Sequence, residues 1–281
     1  MNNFVVSARK YRPSDFHSVV GQSHITTTLQ NAIKNNQLAQ AFLFCGPRGV
    51  GKTTCARILA KTINCTNITE QYEACNECES CKSFNESASF NIVELDAASN
   101  NSVDDIRNLT DQVKIPPQNG KYKVYIIDEV HMLSTSAFNA FLKTLEEPPA
   151  YAKFILATTE KNKVLPTILS RCQVYNFQRI SIKDVANQLQ YIADKENVKT
   201  EIEALNVIAQ KADGAMRDAL SILDRCSGIS THVTADVVSN AAGLAGKDYL
   251  FELVDNMRGG TFSSLAEPKH TWKSVLYYIF K

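Results

Sequence analysis

Residues Gly46-Pro47-Arg48-Gly49-Val50-Gly51-Lys52-Thr53 fit the pattern G-x-x-x-x-G-K-[ST] without a mismatch. Such a run only has meaning between a strand and a helix, and the chain supplies both. The apolar stretch AFLFC precedes it and the helical pattern TTCARILAKTIN follows. The glycines let the backbone curl until its N–H groups face phosphate oxygens. The first turn of the new helix aims its dipole at the same anion. Lys52 is then expected to reach the β and γ phosphates of a nucleotide as a point charge, and Thr53 to hold Mg²⁺. Gly46, Pro47, Arg48, Gly49, Val50, Gly51 and Thr54 complete the expected phosphate-binding run.

The rest of the first two-thirds suits the same architecture. Residues 41–45, 91–96, 123–128, 153–158 and 173–177 are short apolar runs that read as strands. Continuous apolar runs of this length suit a buried parallel sheet, with helices as crossovers. Phe138, Phe141, Leu142 and Leu145 fall on one helical face, which Glu146-Glu147-Pro148-Pro149 ends. Ser102–Asp105, Ser181–Asp184 and Thr200–Glu203 read as helix-opening capping boxes, the third being the clearest. After Phe177 the strand signals vanish, and 181–242 reads as three or four short helices. The expected fold is α/β: a P-loop parallel-sheet domain over 1–177, with an insertion at about 64–84, then a small all-α domain over 178–243.

A second acidic position falls at the end of the strand KVYIID, where Asp128 and Glu129 stand together. Carboxylates at the C-terminal end of a parallel strand lie in the crevice where α/β sheets bind ligands. Asp128 is placed to hold Mg²⁺ through water, and Glu129 to polarise an attacking water. His131 reads as a packing or hydrogen-bonding histidine.

The chain has eight cysteines. Cys75, Cys78 and Cys81 are spaced C-x2-C-x2-C, and Cys65 lies ten positions before Cys75. Four thiolates at these spacings can close a tetrahedral, structural Zn²⁺ site. An iron–sulfur cluster is the competing metal, although the Cys-Pro that continues ferredoxin motifs is absent. Cys45, Cys55, Cys172 and Cys226 lie in apolar patterns and read as buried thiols.

Lys plus Arg total 30 against 29 for Asp plus Glu, so the net charge of +1 gives no argument for nucleic-acid binding. No apolar run is long enough for a membrane span or a signal peptide, so a cytoplasmic location is expected.

The motifs GPRGVGKTT, ELDAASNNSVDDIR, KVYIIDEVHMLS, AFNAFLKTLEEPP, FILATTE and ILSRCQVYNF follow in one order, with the cysteine insertion directly after the phosphate-loop helix. Together they resemble the bacterial AAA+ clamp-loader ATPases of the DNA polymerase III gamma/tau family. The resemblance runs from about Ala8 to Gly246. The cysteine insertion separates it from archaeal and eukaryotic clamp-loader subunits. The resemblance implies ATP, Mg²⁺ and Zn²⁺ as cofactors. It implies delta and delta-prime type subunits, a sliding clamp and primer–template DNA as partners. It assigns Tyr11, Arg12 and Val20 to the adenine pocket and Thr158 to the sensor beside the Asp-Glu strand. Arg171 would reach the ATP of a neighbouring subunit, and Arg217 the γ-phosphate of its own. The implied activity is ATP hydrolysis that opens and loads the clamp during DNA replication, with no polymerase active site.

Two rivals share the core. A non-hydrolysing scaffold is opposed by the intact Lys52, Thr53, Asp128 and Glu129. A hexameric branch-migration motor is opposed by the cysteine insertion and by Ser170-Arg171-Cys172. Residues 261–281 do not resemble the helical collar domain that follows in the family. The expectation for 244–281 is a truncated or divergent tail in place of that domain, which puts collar-mediated ring assembly in doubt.

Overall fold

The computed structural model describes residues 5–118 and 120–241. The tail expected at 244–281 lies outside the described residues. The chain order is α1 (Ser7–Lys10), α2 (Ser23–Lys34), β1 (Ala41–Cys45), α3 (Lys52–Ile63), α4 (Glu79–Asn85), β2 (Ile92–Asp96), α5 (Val103–Val113), β3 (Lys123–Asp128), α6 (Thr135–Glu146), β4 (Ala152–Thr158), α7 (Pro166–Leu169), β5 (Gln173–Asn176), α8 (Ile182–Lys195), β6 (Lys199–Thr200), α9 (Ile202–Lys211), α10 (Met216–Ile229), β7 (His232–Val233) and α11 (Ala235–Ala241).

The first five strands form one parallel sheet in the order β2-β3-β4-β1-β5. Alternation along the strands sends side chains to two opposite faces. Phe42, Phe44, Val124, Ile126, Ile155 and Ala157 meet Ile58 and Leu59 of α3 and Leu29 of α2 on one face. Leu43, Tyr125, Ile127, Phe154 and Leu156 meet Ile106 of α5 and Phe138 and Phe141 of α6 on the other. Both faces are covered, which is why β1 and β4 are buried at every position. Phe141 is fully buried with its ring edge-on to Phe154 at 5.3 Å, so Phe141→Ala should cost about 3–5 kcal/mol.

The helices begin where their caps place them. Ser102 and Asp105 form the reciprocal capping box that opens α5. The Ser181 hydroxyl accepts the Asp184 N–H and opens α8. The box expected at Thr200–Glu203 is not formed. Glu201 is the N-cap of α9 and makes no side-chain cap bond. Thr200 instead pairs with Val233 in a short parallel ladder, and its hydroxyl donates to Gln190 Oε1 at 3.2 Å. That ladder is also the departure from an all-α reading. β6 and β7 are 2 residues each, too short to leave a periodic signal.

Helices α8 to α11 share their own core of Val185, Leu189, Ile208, Leu223 and Cys226. The short α1 joins this core rather than the sheet. The Ser7 N–H donates to Asp224 of α10 at 2.8 Å, and Ala8 and Tyr11 pack on the same cluster. From Ser7 the chain thus packs first on the helical unit, then crosses to the sheet, and returns to the helices after β5.

Candidate functional site

Between β1 and α3 the backbone turns through Gly46, Gly49 and Gly51, all at positive φ. Gly46 sits at φ +152, and a Cβ there would lie 2.5 Å from the Phe177 carbonyl oxygen. A Cβ on Gly49 would lie 2.9 Å from the Cβ of Ala215, at the start of α10. The loop is therefore packed against the strand end and the helical unit at once, and only glycine permits both approaches.

Lys52 is buried, and its ammonium donates to the carbonyls of Gly46 at 2.8 Å and Pro47 at 2.7 Å. Burial pulls the Lys52 ammonium below the ordinary lysine value, while Glu129 and Asp128 pull it back. The Thr53 hydroxyl donates to Asp128 Oδ2 at 2.7 Å across 75 residues of sequence. A hydroxyl beside a carboxylate is a hard oxygen pair suited to Mg²⁺.

The two strand-end carboxylates point differently. Asp128 faces Thr53 and also accepts the Glu129 N–H at 2.9 Å. Glu129 sits at φ 47, in the left-handed region. Its carboxylate accepts from Thr159, through the backbone N–H at 3.2 Å and the hydroxyl at 3.0 Å. Thr158 faces elsewhere. It is fully buried, its hydroxyl meets His131 Nδ1 at 3.0 Å, and its oxygen accepts the Glu160 N–H at 3.0 Å. Thr158 is the last residue of β4, which pairs with the strand that ends in Asp128, while the bonds to the Glu129 carboxylate come from the next residue, Thr159.

A cavity of about 500 Å³ lies between the loop, the N-terminal segment and the helical unit. Gly49, Lys52, Thr53, Thr54, Asp128 and Glu129 line its sheet side, with Arg48 beside them. Tyr11, Arg12 and Val20 line it from the N-terminal segment, and Arg217 from α10. The Arg12 guanidinium reaches Thr54 Oγ1 at 3.3 Å. Burial and the nearby Arg57 lower its affinity for the proton, which Glu94 and Asp128 partly restore. Ile180, Gln188, Ile192, Met216 and Leu220 also line the cavity. Sequence reasoning missed these five. Only Met216, directly before Arg217, stood near a motif that pointed to it.

Gln22 ties the parts together. Its buried side chain donates to the Gln178 carbonyl at 2.6 Å and accepts the Gln178 N–H at 3.2 Å. The segment leaving β5 is thereby bonded to the segment entering α2.

Arg171 is outside the cavity. Its guanidinium pairs with Glu146 at 2.7 Å and donates to the Thr167 carbonyl at 2.6 Å.

The insertion brings Cys65, Cys75, Cys78 and Cys81 together with all four sulfurs within 4.8 Å. Cys65 Sγ lies 3.4 Å from Cys75 Sγ and 3.9 Å from Cys78 Sγ. Tetrahedral Zn–S bonds of about 2.3 Å require sulfurs about 3.8 Å apart, so the set fits one ion. Of the other four cysteines, Cys45, Cys55 and Cys226 are buried as expected, whereas Cys172 is only partly covered. Its thiol is nonetheless enclosed, since burial pushes its pKa up to about 12.

A glycine loop on a five-stranded parallel sheet, with a helical unit closing its cavity, is the arrangement of AAA+ P-loop ATPases. The fold of a solved structure agrees. The Thermotoga maritima RuvB Holliday junction branch migration motor superposes with a TM-score of 0.62, covering 94% of this chain and 88% of that one at 18% identity.

Sequence relatives narrow the class. The family model described as DNA polymerase III, delta subunit matches residues 21–181. A second, described as the DNA polymerase III clamp loader subunit ATPase lid domain, matches residues 184–226. DNA polymerase III subunit tau of Bacillus subtilis (strain 168) is 52% identical over 222 residues, covering 79% of this chain and 39% of that protein. Subunit tau of Escherichia coli (strain K12) is 43% identical over 257 residues, covering 91% and 40%. Subunit gamma of Buchnera aphidicola subsp. Acyrthosiphon pisum is 41% identical over 255 residues, covering 90% and 70%. The chain belongs to the gamma/tau family of DNA polymerase III subunits. It spans about 40% of the length of the tau relatives it matches. Among the described residues no helix is long and apolar enough to cross a membrane.

Proposed function

We propose that this chain is an ATP-binding and ATP-hydrolysing clamp-loader subunit. ATP binding would let its assembly open a sliding clamp and grip primer–template DNA, and hydrolysis would release the loaded clamp. The observation that carries this reading is the cavity itself. The phosphate loop, the strand-end acids and Arg217 of the helical unit meet around one space. A nucleotide there contacts both units, so its γ-phosphate can set how they sit.

Each side chain has a role in this reading. Lys52 exchanges its bonds to the Gly46 and Pro47 carbonyls for the β and γ phosphates. Thr53 and Asp128 would hold Mg²⁺, which neutralises charge on the phosphate oxygens when bound. Glu129 orients the attacking water and accepts its proton. Arg217 contacts the γ-phosphate, and Tyr11, Arg12 and Val20 enclose the base. Arg171 acts on the nucleotide of a neighbouring subunit. Cys65, Cys75, Cys78 and Cys81 would hold a structural Zn²⁺.

A branch-migration motor shares the fold, but a likeness at 18% identity carries only the fold. The test is a reconstitution. The chain is mixed with delta and delta-prime type subunits, a sliding clamp and primed DNA, and clamp loading is followed alongside ATP turnover. ATP-dependent clamp deposition is expected. Turnover stimulated by branched DNA junctions without clamp deposition would overturn the reading.

A further inference from the structure

The cysteine knuckle reaches the nucleotide cavity through one carboxylate. Glu73 stands just ahead of Cys75 in the insertion. Its Oε2 accepts the Phe16 N–H at 3.0 Å. Its Oε1 accepts the His17 N–H at 3.1 Å and the Gln30 side-chain amide at 3.1 Å. Glu73 is itself held in a local turn. The Thr69 hydroxyl accepts the Glu73 N–H at 3.1 Å, and the Thr69 N–H donates to the Glu73 carbonyl at 3.0 Å.

The other end of the knuckle is fixed to the phosphate-loop helix. Cys65 follows the last turn of α3. Lys61 of α3 is buried and donates from Nζ to Asn76 Oδ1 at 2.6 Å, inside the insertion. The knuckle thus spans from the far end of α3 to the segment between α1 and α2.

That segment forms the cavity wall facing the phosphate loop. Tyr11, Arg12, Pro13, Ser18, Val19 and Val20 all line the cavity. The segment has neither helix nor strand to hold it. Its turn is closed by the Ser18 N–H on Asp15 Oδ1 at 2.8 Å and the Val19 N–H on the Phe16 carbonyl at 3.2 Å. Glu73 grips that turn from outside, while the Phe16 ring is anchored in the sheet core. Hydrogen bonds to a carboxylate are about twice as strong as neutral ones, and losing them strips two N–H groups of an acceptor.

We propose that Glu73 is a positioning residue for nucleotide binding, through which the metal knuckle fixes the base-side wall of the cavity. This rests on the reading of the cavity as an ATP site. The phosphates are held by a different set, residues 46–53 and Arg217. Loosening the wall should therefore weaken ATP binding and spare a ligand that is all phosphate.

The test compares the full chain with Glu73→Ala and Glu73→Gln. Titrations use a fluorescent ATP analogue and, by competition, inorganic tripolyphosphate, with zinc content measured on each preparation. Glu73→Ala is expected to lose about tenfold in ATP affinity, about 1.4 kcal/mol. Tripolyphosphate affinity should stay unchanged, and amides 16–20 should exchange faster with deuterium. Glu73→Gln keeps one acceptor oxygen and should fall between. It also carries the comparison should Glu73→Ala shed its metal. Removing the metal with a chelator should reproduce the same split between the two ligands. Unchanged ATP affinity in both variants would overturn the proposal, as would equal loss of both ligands. Failure of the unaltered chain to bind either ligand would instead overturn the nucleotide reading of the cavity.

Discussion

The carboxylate of Glu129 is clamped by Thr159, which donates to it from both its backbone N–H and its hydroxyl. Glu129 reaches that position with φ 47, a conformation that costs a non-glycine residue about 1–3 kcal/mol and clusters at functional sites. The two acids thus have different side-chain partners. One meets Thr53 at the phosphate loop, and the other stands beside the cavity with Thr159.

From that difference we predict that Glu129→Gln keeps ATP affinity and loses turnover by about 10²–10⁴. The amide preserves shape and one acceptor but cannot take a proton from water. Thr159→Val removes one of the two clamping bonds and should reduce turnover by a smaller factor, again with little change in affinity. Binding and single-turnover hydrolysis measured on the same preparations check this. A parallel loss of affinity in Glu129→Gln would contradict it.

Lys52 gives a pH prediction. Burial lowers its pKa from 10.5, so the folded apo chain binds this proton less tightly than the unfolded chain does. The sign follows: the cost of burying the charged ammonium is fully present below the folded pKa and is relieved as pH rises toward 10.5. ATP binding needs the ammonium charged, so affinity should begin to fall at a lower alkaline pH than an ordinary lysine dictates. Lys52→Ala should abolish binding at all pH values. Titrations of a fluorescent ATP analogue between neutral and strongly alkaline pH test both statements.

The cysteine set predicts one zinc per chain. Structural zinc contributes roughly 10–16 kcal/mol of apparent binding free energy in small peptides, so chelation should unfold the knuckle. The sheet has its own two-sided core and should persist. Elemental analysis with circular dichroism before and after chelation measures both. Iron in the freshly reduced protein would refute the assignment.

The phosphate loop was legible because its physics is local. Glycines at fixed offsets, a strand before and a helix after are all visible in one window of sequence. The strands of the sheet were legible for the same reason, since burial on both faces leaves unbroken apolar runs such as KVYIID. What could not be read depends on approach across space. Thr158 and Thr159 are adjacent and identical, and only the direction each leaves β4 decides which one meets Glu129. Gln188 and Ile192 share α8 with ordinary core residues, and nothing in their spacing marks the turn of that helix that faces the cavity. Thr200 looked like a cap because the residues after it suit a first turn. The ladder with Val233, 33 positions on, claimed it instead.

Arg171 carries the last prediction. It is absent from the cavity that holds Arg217, so it cannot reach the nucleotide bound by its own chain without a rearrangement. Its pair with Glu146 is about half exposed on the acid side and a third on the arginine side, and such surface pairs contribute only about 0–1 kcal/mol. The guanidinium can therefore leave Glu146 for a stronger anionic partner at little cost, which suits an arginine presented to a neighbour's γ-phosphate. An arginine supplied in trans is worth roughly 10³–10⁵ in rate in P-loop systems, because it stabilises charge that develops on the transferring phosphoryl group. Turnover per chain should then be low when the chain is dilute and rise with its concentration, or on adding partner subunits that present a free interface. Arg171→Ala should remove that rise and leave ATP affinity nearly unchanged, since the group acts on the transition state of another chain. Glu146→Gln, which releases the arginine without removing it, should keep the rise. A series of ATPase rates across protein concentration for the three chains, paired with sedimentation to report association, decides the matter. A high rate independent of concentration in a monomeric protein would refute the trans assignment.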